Sequence, residues 1–86
     1  MKNPGGWTPL LTACAGGKLK AVVELINAGA NINAADPQGL TCLHWAAFKG
    51  YPRLTELLLE KGADGNARSN LGLTPLSQAV VSGHVE

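Results

Sequence analysis

Hydrophobic and polar positions along this chain form short helical segments joined by polar, glycine-containing turns. The clearest segment spans residues 52 to about 61, where four leucines form a broad apolar face on a helix. These leucines are Leu54, Leu57, Leu58 and Leu59. A second such segment spans residues 19 to about 27. A shorter helical segment precedes each of the two; the first ends near Gly17 and the other near Gly50. The pattern predicts pairs of short helices.

The pattern recurs at one fixed interval along the chain. Thr8-Pro9-Leu10 returns as Thr41-Cys42-Leu43 and again, after the same interval, as Thr74-Pro75-Leu76. Small residues keep this spacing: Gly6, Gly39 and Gly72; Ala13, Ala46 and Ala79; Gly17, Gly50 and Gly83. Chance does not align so many glycines, alanines and threonines at one spacing, so the chain is an array of repeated units.

Each unit carries residues that begin helices and turns. Thr8, Thr41 and Thr74 can cap a helix, because a hydroxyl oxygen accepts a hydrogen bond from an unpaired backbone N–H. Pro9 and Pro75 follow at the first helical position, where the missing donor of proline costs nothing. Asp36-Pro37-Gln38-Gly39 predicts a turn within an extended connection at residues 31–40, and residues 64–73 are its counterpart.

The second unit carries the fullest signature. It reads Gly39-Leu40-Thr41-Cys42-Leu43-His44-Trp45-Ala46-Ala47, then Leu57-Leu58-Leu59-Glu60-Lys61-Gly62-Ala63-Asp64. In these residues the chain resembles the ankyrin repeat family, whose unit is a turn plus two antiparallel helices. The resemblance implies an all-α repeat solenoid of stacked helix-turn-helix units with extended β-turn or hairpin connections. We expect one ankyrin repeat domain over residues 1–86, with repeats at 3–35 and 36–68 and a partial repeat at 69–86.

Several positions depart from the family pattern. Cys42 stands where the family usually has proline, and Leu11 and Ser77 replace its histidine. Only His44 can therefore make the usual threonine–histidine hydrogen bond, to Thr41. Two further departures are Glu24, at a normally apolar helix position, and Gly65, in place of a branched aliphatic residue.

The third unit stops before its second helix, and neither end of the array looks like a polar cap. About three repeats are needed for independent stability. We therefore expect the chain to be part of a longer repeat array.

Composition narrows the function. Formal net charge is +1, so no electrostatic feature points to nucleic acid. No apolar run is long enough to cross a bilayer, which argues against membrane insertion. Two cysteines are too few for a disulfide scaffold, and a cytoplasmic or nuclear location fits best. Hydrophobic residues make up 45% and charged ones 15%, which indicates apolar surface for a partner.

The candidate chemistry is sparse. Cys14, Cys42, His44 and His84 are the soft metal-ligand candidates, and they lack the spacing of a metal site. Cys42, in the first turn of a helix, is either a mildly reactive thiol or a small apolar substitute for proline. No nucleophile, base and acid converge, and no glycine-rich loop leads into a phosphate-binding lysine. We expect no catalysis, no metal and no cofactor.

The resemblance implies that a partner protein binds the concave face formed by the turns and the first helices. Carried onto this sequence, the candidate partner-binding residues are Trp7, Pro37, Gln38, Leu40, Phe48, Lys49, Arg68, Asn70, Leu71, Leu73, Val81 and Ser82. Lys49 and Arg68 could orient an acidic partner, whereas Trp45 is expected in the core. We therefore expect a scaffold or adaptor segment. The alternative is the recognition part of a larger enzyme, such as a kinase, ligase or protease.

Overall fold

The computed structural model describes residues 7–83, apart from the side chains of residues 81 and 82. Five short helices follow one another within this range. They are α1 (Pro9–Ala15), α2 (Leu19–Asn27), α3 (Cys42–Lys49), α4 (Pro52–Glu60) and α5 (Pro75–Ser82). Their bounds lie close to those expected from the repeat pattern, and the all-α repeat fold is confirmed.

The predicted threonine caps begin the first helix of each unit. Thr8 Oγ1 accepts from the Leu11 backbone N–H at 3.1 Å, and Thr74 Oγ1 accepts from Ser77 N–H at 3.2 Å. Thr41 Oγ1 accepts from the backbone N–H of His44 at 3.4 Å. Each hydroxyl thus satisfies a donor that the helix itself leaves unpaired.

The first helices pack side by side in chain order, α1 against α3 and α3 against α5. The second helix of each complete unit packs on its own first helix, α2 on α1 and α4 on α3. The fully buried apolar side chains lie between these helices. They are Leu10, Leu11, Cys14, Val22, Cys42, Ala46, Leu54 and Leu58, all within 2% of complete burial. Fully burying one leucine contributes about 1.5–3 kcal/mol, so these contacts join the repeats into one core.

The connections between units are turns with little regular strand. Among the described residues, one antiparallel bridge pairs Ala35 with Thr41. Inside it, the Asp36 backbone N–H donates to the Leu40 carbonyl at 3.0 Å. The equivalent bond of the next unit joins Ser69 N–H to the Leu73 carbonyl at 2.8 Å. The two turns therefore share one conformation, as the period predicts.

His44 joins the second unit to the third. Its Nδ1 lies 2.9 Å from Thr41 Oγ1 and accepts from the Thr41 backbone N–H at 3.2 Å. Because a backbone N–H can only donate, Nδ1 is unprotonated, and the ring proton sits on Nε2. Nε2 donates to the Leu73 carbonyl at 2.7 Å. The predicted threonine–histidine bond is confirmed, and the same ring also bridges two repeats.

The other two signature positions, which lack histidine, behave differently. Leu11 is completely buried, so it contributes apolar packing. Ser77 Oγ accepts from the Thr74 hydroxyl at 3.1 Å. Among the described residues, the hydrogen bond from this position to the neighbouring repeat is the one that His44 makes in the second unit.

The first unit carries a charged side chain at one position where the second unit carries an apolar one. Glu24 of α2 is exposed, whereas its counterpart Leu57 on α4 is partly buried and packs against the core. Another pair of equivalent positions shows the reverse: Ile26 is partly buried, and its counterpart Leu59 is 52% exposed.

Candidate functional site

Three of the chain's four aromatic side chains (two Trp, one Tyr, one Phe) meet on one face of the molecule. The Trp7 and Trp45 rings lie 5.3 Å apart between centroids, at an interplanar angle of 48°. Phe48 meets Trp45 edge-on, with centroids 5.7 Å apart and planes at 85°. Both geometries belong to the favourable range for aromatic pairs. The three rings form a continuous apolar surface across two repeats.

Helical spacing and the packing of the first helices bring these residues together. Trp45, Phe48 and Lys49 stand at i, i+3 and i+4 on α3, so they share one helix face. Trp7 directly precedes the Thr8 cap of α1, which packs beside α3. The Lys49 ammonium lies 6.0 Å from the Trp45 ring centroid and 5.9 Å from that of Phe48. A positive charge therefore borders the aromatic cluster.

A groove of about 410 Å³ opens beside the cluster. Its lining residues are Gln38, Leu40, Trp45, Phe48, Ser69, Asn70, Leu71 and Gln78. We call these residues, together with Trp7 and Lys49, the aromatic face. It combines apolar walls with hydroxyl and amide groups, a composition typical of binding surfaces.

The Asp36 carboxylate lies behind this face and holds it in place. Oδ1 accepts from the backbone N–H groups of Gln38 at 2.8 Å and Leu40 at 2.9 Å. Oδ2 accepts from the indole N–H of Trp45 at 3.2 Å. The side chain is only 6% exposed. One buried carboxylate thus shapes the turn and orients the central tryptophan.

Asn70 ties the turn of the third unit to that of the second. Its backbone N–H donates to the Gln38 carbonyl at 2.9 Å, and its Nδ2 donates to the Pro37 carbonyl at 2.9 Å. The two turns therefore form one surface with a fixed relative position. Asn70 contributes both to the groove wall and to its support.

The predicted binding residues fall into three groups. The structure brings together seven of them on the aromatic face: Trp7, Gln38, Leu40, Phe48, Lys49, Asn70 and Leu71. Pro37, Arg68 and Leu73 belong to the turns but do not line the groove. Val81 and Ser82 lie outside the residues whose side chains are described.

The second group has structural roles. Arg68 Nη1 donates to the Gly72 carbonyl at 3.3 Å, within its own turn. The Leu73 carbonyl accepts the His44 bond that joins two repeats, and its side chain is partly buried. Pro37 is exposed, and its carbonyl accepts from Asn70.

Sequence reasoning missed four residues of the site: Trp45, Asp36, Ser69 and Gln78. The prediction that Trp45 lies in the core holds only in part, because the side chain packs against the core but is only partly buried and contacts Trp7 and Phe48. The helical spacing between Trp45 and Phe48 could have placed Trp45 at the site. The repeat period could have placed Gln78 and Ser69 there, because they occupy the positions of Trp45 and Asp36 in the next repeat.

A second, wider groove of about 610 Å³ lies between α3, α4 and α5. We call it the end groove, lined by Leu43, Ala46, Ala47, Gly50, Tyr51, Pro52, Thr55, Glu56, Leu59, Gly65, Pro75, Leu76 and Ala79. Gly65 enlarges it, because the counterpart Ile32 is a branched side chain that packs against the core.

The two cysteines are free and completely buried. The pKa of the Cys14 thiol is raised far above its ordinary value. The main cause is the side-chain hydrogen bond with Cys42, and burial is the second. Cys14 therefore stays protonated at neutral pH. The burial of Cys42 favours its interpretation as a small apolar substitute for proline.

Within residues 7–83, no three metal-ligating side chains come close enough together to hold an ion. In the same part of the chain, no helix has both the length and the apolarity needed to cross a membrane.

Comparison with known proteins agrees with the architecture. A family model described as ankyrin repeats (3 copies) matches residues 1–69. Palmitoyltransferase AKR1 of Saccharomyces cerevisiae is 41% identical over 59 residues, 69% of this chain and 8% of that protein. The probable 26S proteasome regulatory subunit p28 of the same yeast is 32% identical over 98% of this chain and 38% of its own length.

Human neurogenic locus notch homolog protein 2 is 44% identical over 64% of this chain and 2% of its own length. The chain thus spans well under half of each of these relatives. What they share with it is the repeat region. On its period, its stacked helix pairs and the family match, the chain belongs to the ankyrin repeat family.

Proposed function

We propose that the aromatic face is the surface through which this chain binds a partner protein. Ankyrin repeats are protein-interaction modules, and the proposal attaches that general role to the side chains of the aromatic face. The observation that carries the proposal is the continuous Trp7–Trp45–Phe48 surface beside an open groove.

The energetics of such a surface support binding. Phe48 is 41% exposed and Leu71 is 86% exposed, so both leave apolar area in contact with water. Burying that area under a partner releases free energy, and aromatic anchors dominate the affinity of most protein interfaces. The helix α3 and the Asp36 hydrogen bonds fix the central ring beforehand, which reduces the entropy lost on binding.

Capture of proteins from a lysate of the source cells tests this proposal. Phe48→Ala is expected to reduce capture of the specific partner at least about fivefold, since truncating an anchor typically costs more than about 1 kcal/mol. Trp7→Ala and Leu40→Ala should act in the same direction. Each variant is first shown to melt cooperatively.

Leu59→Ala is the matched control. Leu59 is 52% exposed against 41% for Phe48, but it lines the end groove. Capture should survive this change. Undiminished capture by Phe48→Ala, Trp7→Ala and Leu40→Ala together would show that the partner binds elsewhere.

We also propose that the chain itself carries no catalytic step. Ankyrin repeats are in general non-catalytic, and any chemistry then belongs to the partner. A second candidate is that the module recognises substrates or partners for a larger enzyme. The similarity to a palmitoyltransferase favours this candidate, and sequencing the gene on both sides of the present chain tests it.

Two further proposals concern context. The apolar end groove supports a longer array in which another helical element covers α5. Equal urea midpoints for this chain and a longer version of it would contradict that proposal.

The free thiols of Cys14 and Cys42 support a reducing, cytoplasmic or nuclear location, which cell fractionation tests.

A further inference from the structure

We infer that the aromatic face binds an extended segment of the partner in which apolar side chains and carboxylates stand two residues apart, on the same side of the segment. This inference rests on the proposed function and specifies the chemistry of its ligand.

The apolar requirement comes from the groove walls. Leu40, Trp45 and Phe48 line one continuous surface, and Leu71 adds a highly exposed side chain to it. Such a surface gains from ligand side chains that water solvates poorly. An entirely polar segment would leave these walls without a favourable contact.

The acidic requirement comes from the charge on this face. Lys49 is exposed, and its ammonium stands 6.0 Å and 5.9 Å from two aromatic ring centroids, so a ligand carboxylate beside a bound apolar side chain would meet it. None of the residues of the aromatic face is acidic. The carboxylate behind it, Asp36, is 6% exposed and already accepts three hydrogen bonds. The charge that a ligand encounters here is therefore positive.

The extended conformation follows from the polar groups of the groove. Amide side chains of Gln38, Asn70 and Gln78 line it, and an amide both donates and accepts. An extended chain offers free backbone N–H and C=O groups to such partners, whereas a helix pairs its own. In an extended chain, side chains two residues apart point to the same side, so an apolar side chain and a carboxylate at this spacing both face the surface.

Titration of the tryptophan fluorescence with synthetic peptides tests the inference. Both tryptophans of the chain lie on the aromatic face, so their emission reports on it directly. The probes are three blocked octapeptides of two Ser-Leu-Ser-X repeats, without tryptophan, in which X is glutamate, glutamine or lysine. A fourth keeps the glutamates and replaces leucine by alanine.

The glutamate–leucine peptide is expected to bind about two to five times more tightly than the glutamine peptide, the effect of one exposed ion pair. The lysine and alanine peptides should bind more weakly still. Lys49→Gln is expected to abolish the preference for glutamate without weakening the glutamine peptide. Arg53→Gln, a charge change on α4, is the matched control and should leave the preference intact.

Equal affinity for the glutamate and glutamine peptides, or a preference that survives Lys49→Gln, would overturn the inference. The proposed function would still stand in that case, because leucine peptides would still bind at the face. Absence of binding by every peptide would also overturn the inference, whereas the proposed function is tested separately by capture of the folded partner.

Discussion

Two apolar depressions among the described residues, the aromatic face and the end groove, differ sharply in composition. The aromatic face surrounds its rings with amides, a hydroxyl and one ammonium, and partly buried hydrogen bonds to Asp36 hold it from behind. The end groove is walled mainly by aliphatic side chains, among them Leu59 and Leu76, which are 52% and 68% exposed.

We propose that the difference separates a surface that binds a partner from a groove that another element of the array covers. A surface that exchanges partners needs rigid anchors and polar groups that water can solvate when it is free. A surface that another element of the same fold covers needs neither. Judged by exposed apolar area alone, the end groove would be the better candidate for the functional site. The polar groups of the aromatic face and the hydrogen bonds behind it favour the aromatic face instead.

The largest expected effect tests whether the end groove is open. Leu58→Ala should lower the free energy of unfolding by about 2–5 kcal/mol, because the completely buried side chain leaves a cavity. The adjacent Leu59→Ala should cost under about 1 kcal/mol, since its side chain is half exposed. Urea unfolding followed by circular dichroism measures both. Comparable losses would mean that the groove is packed rather than open.

The next largest effect tests the contact between the two turns that supports the aromatic face. Gly39 and Gly72 occupy equivalent positions of successive repeats, and their φ angles, 78° and 80°, lie in the left-handed region. A Cβ at Gly39 would meet Asn70 Oδ1 at 2.7 Å and its backbone N at 2.8 Å, whereas one at Gly72 would meet nothing within 4 Å.

Both alanine variants should lose about 1–2 kcal/mol from the backbone conformation alone. Gly39→Ala should lose more and should also shift the tryptophan emission, because the contact between the two turns is pushed apart. Chemical denaturation monitored by fluorescence gives both values. Identical losses for Gly39→Ala and Gly72→Ala would contradict the close turn-to-turn contact.

A stabilising substitution in the end groove tests the same comparison by filling the groove. Gly65→Ile restores the type of side chain found at Ile32, and the nearest atom to its Cβ is Leu59 Cδ2 at 4.0 Å. Reduced freedom of the unfolded chain and added apolar burial should together raise the unfolding free energy by about 1 kcal/mol. Thermal unfolding measures the gain, and partner capture should not change. A loss of stability would mean that the end groove does not accept an aliphatic side chain.

The smallest effects on stability come from the most exposed leucines. Leu71→Ala and Leu76→Ala should each change the unfolding free energy by less than about 0.5 kcal/mol, because these side chains are 86% and 68% exposed. Their effects on partner capture should differ, with a reduction for Leu71→Ala alone. Reduced capture by Leu76→Ala alone would reverse the assignment of the two surfaces.

The fold could be predicted almost completely from the sequence, because the fixed period repeats every local signal. Threonine, proline and glycine act within a few residues of where they stand, so the caps and turns of each unit were evident. The site was harder. Phe48 and Leu40 could be placed by position in the repeat, but the role of Trp45 depends on the packing of Trp7 from another repeat. The bond from Asp36 to the Trp45 indole has no sequence signature either, because it joins a turn to the following helix through side chains alone.

Fluorine NMR of the chain labelled with 5-fluorotryptophan tests the central claim most directly. The label places one fluorine on each of the two tryptophans, both on the aromatic face, and leaves the partner silent. Addition of the most abundant specifically captured protein should shift or broaden both signals as the complex forms. A complex demonstrated by size, with both signals unchanged, would contradict the assignment of the aromatic face as the binding surface.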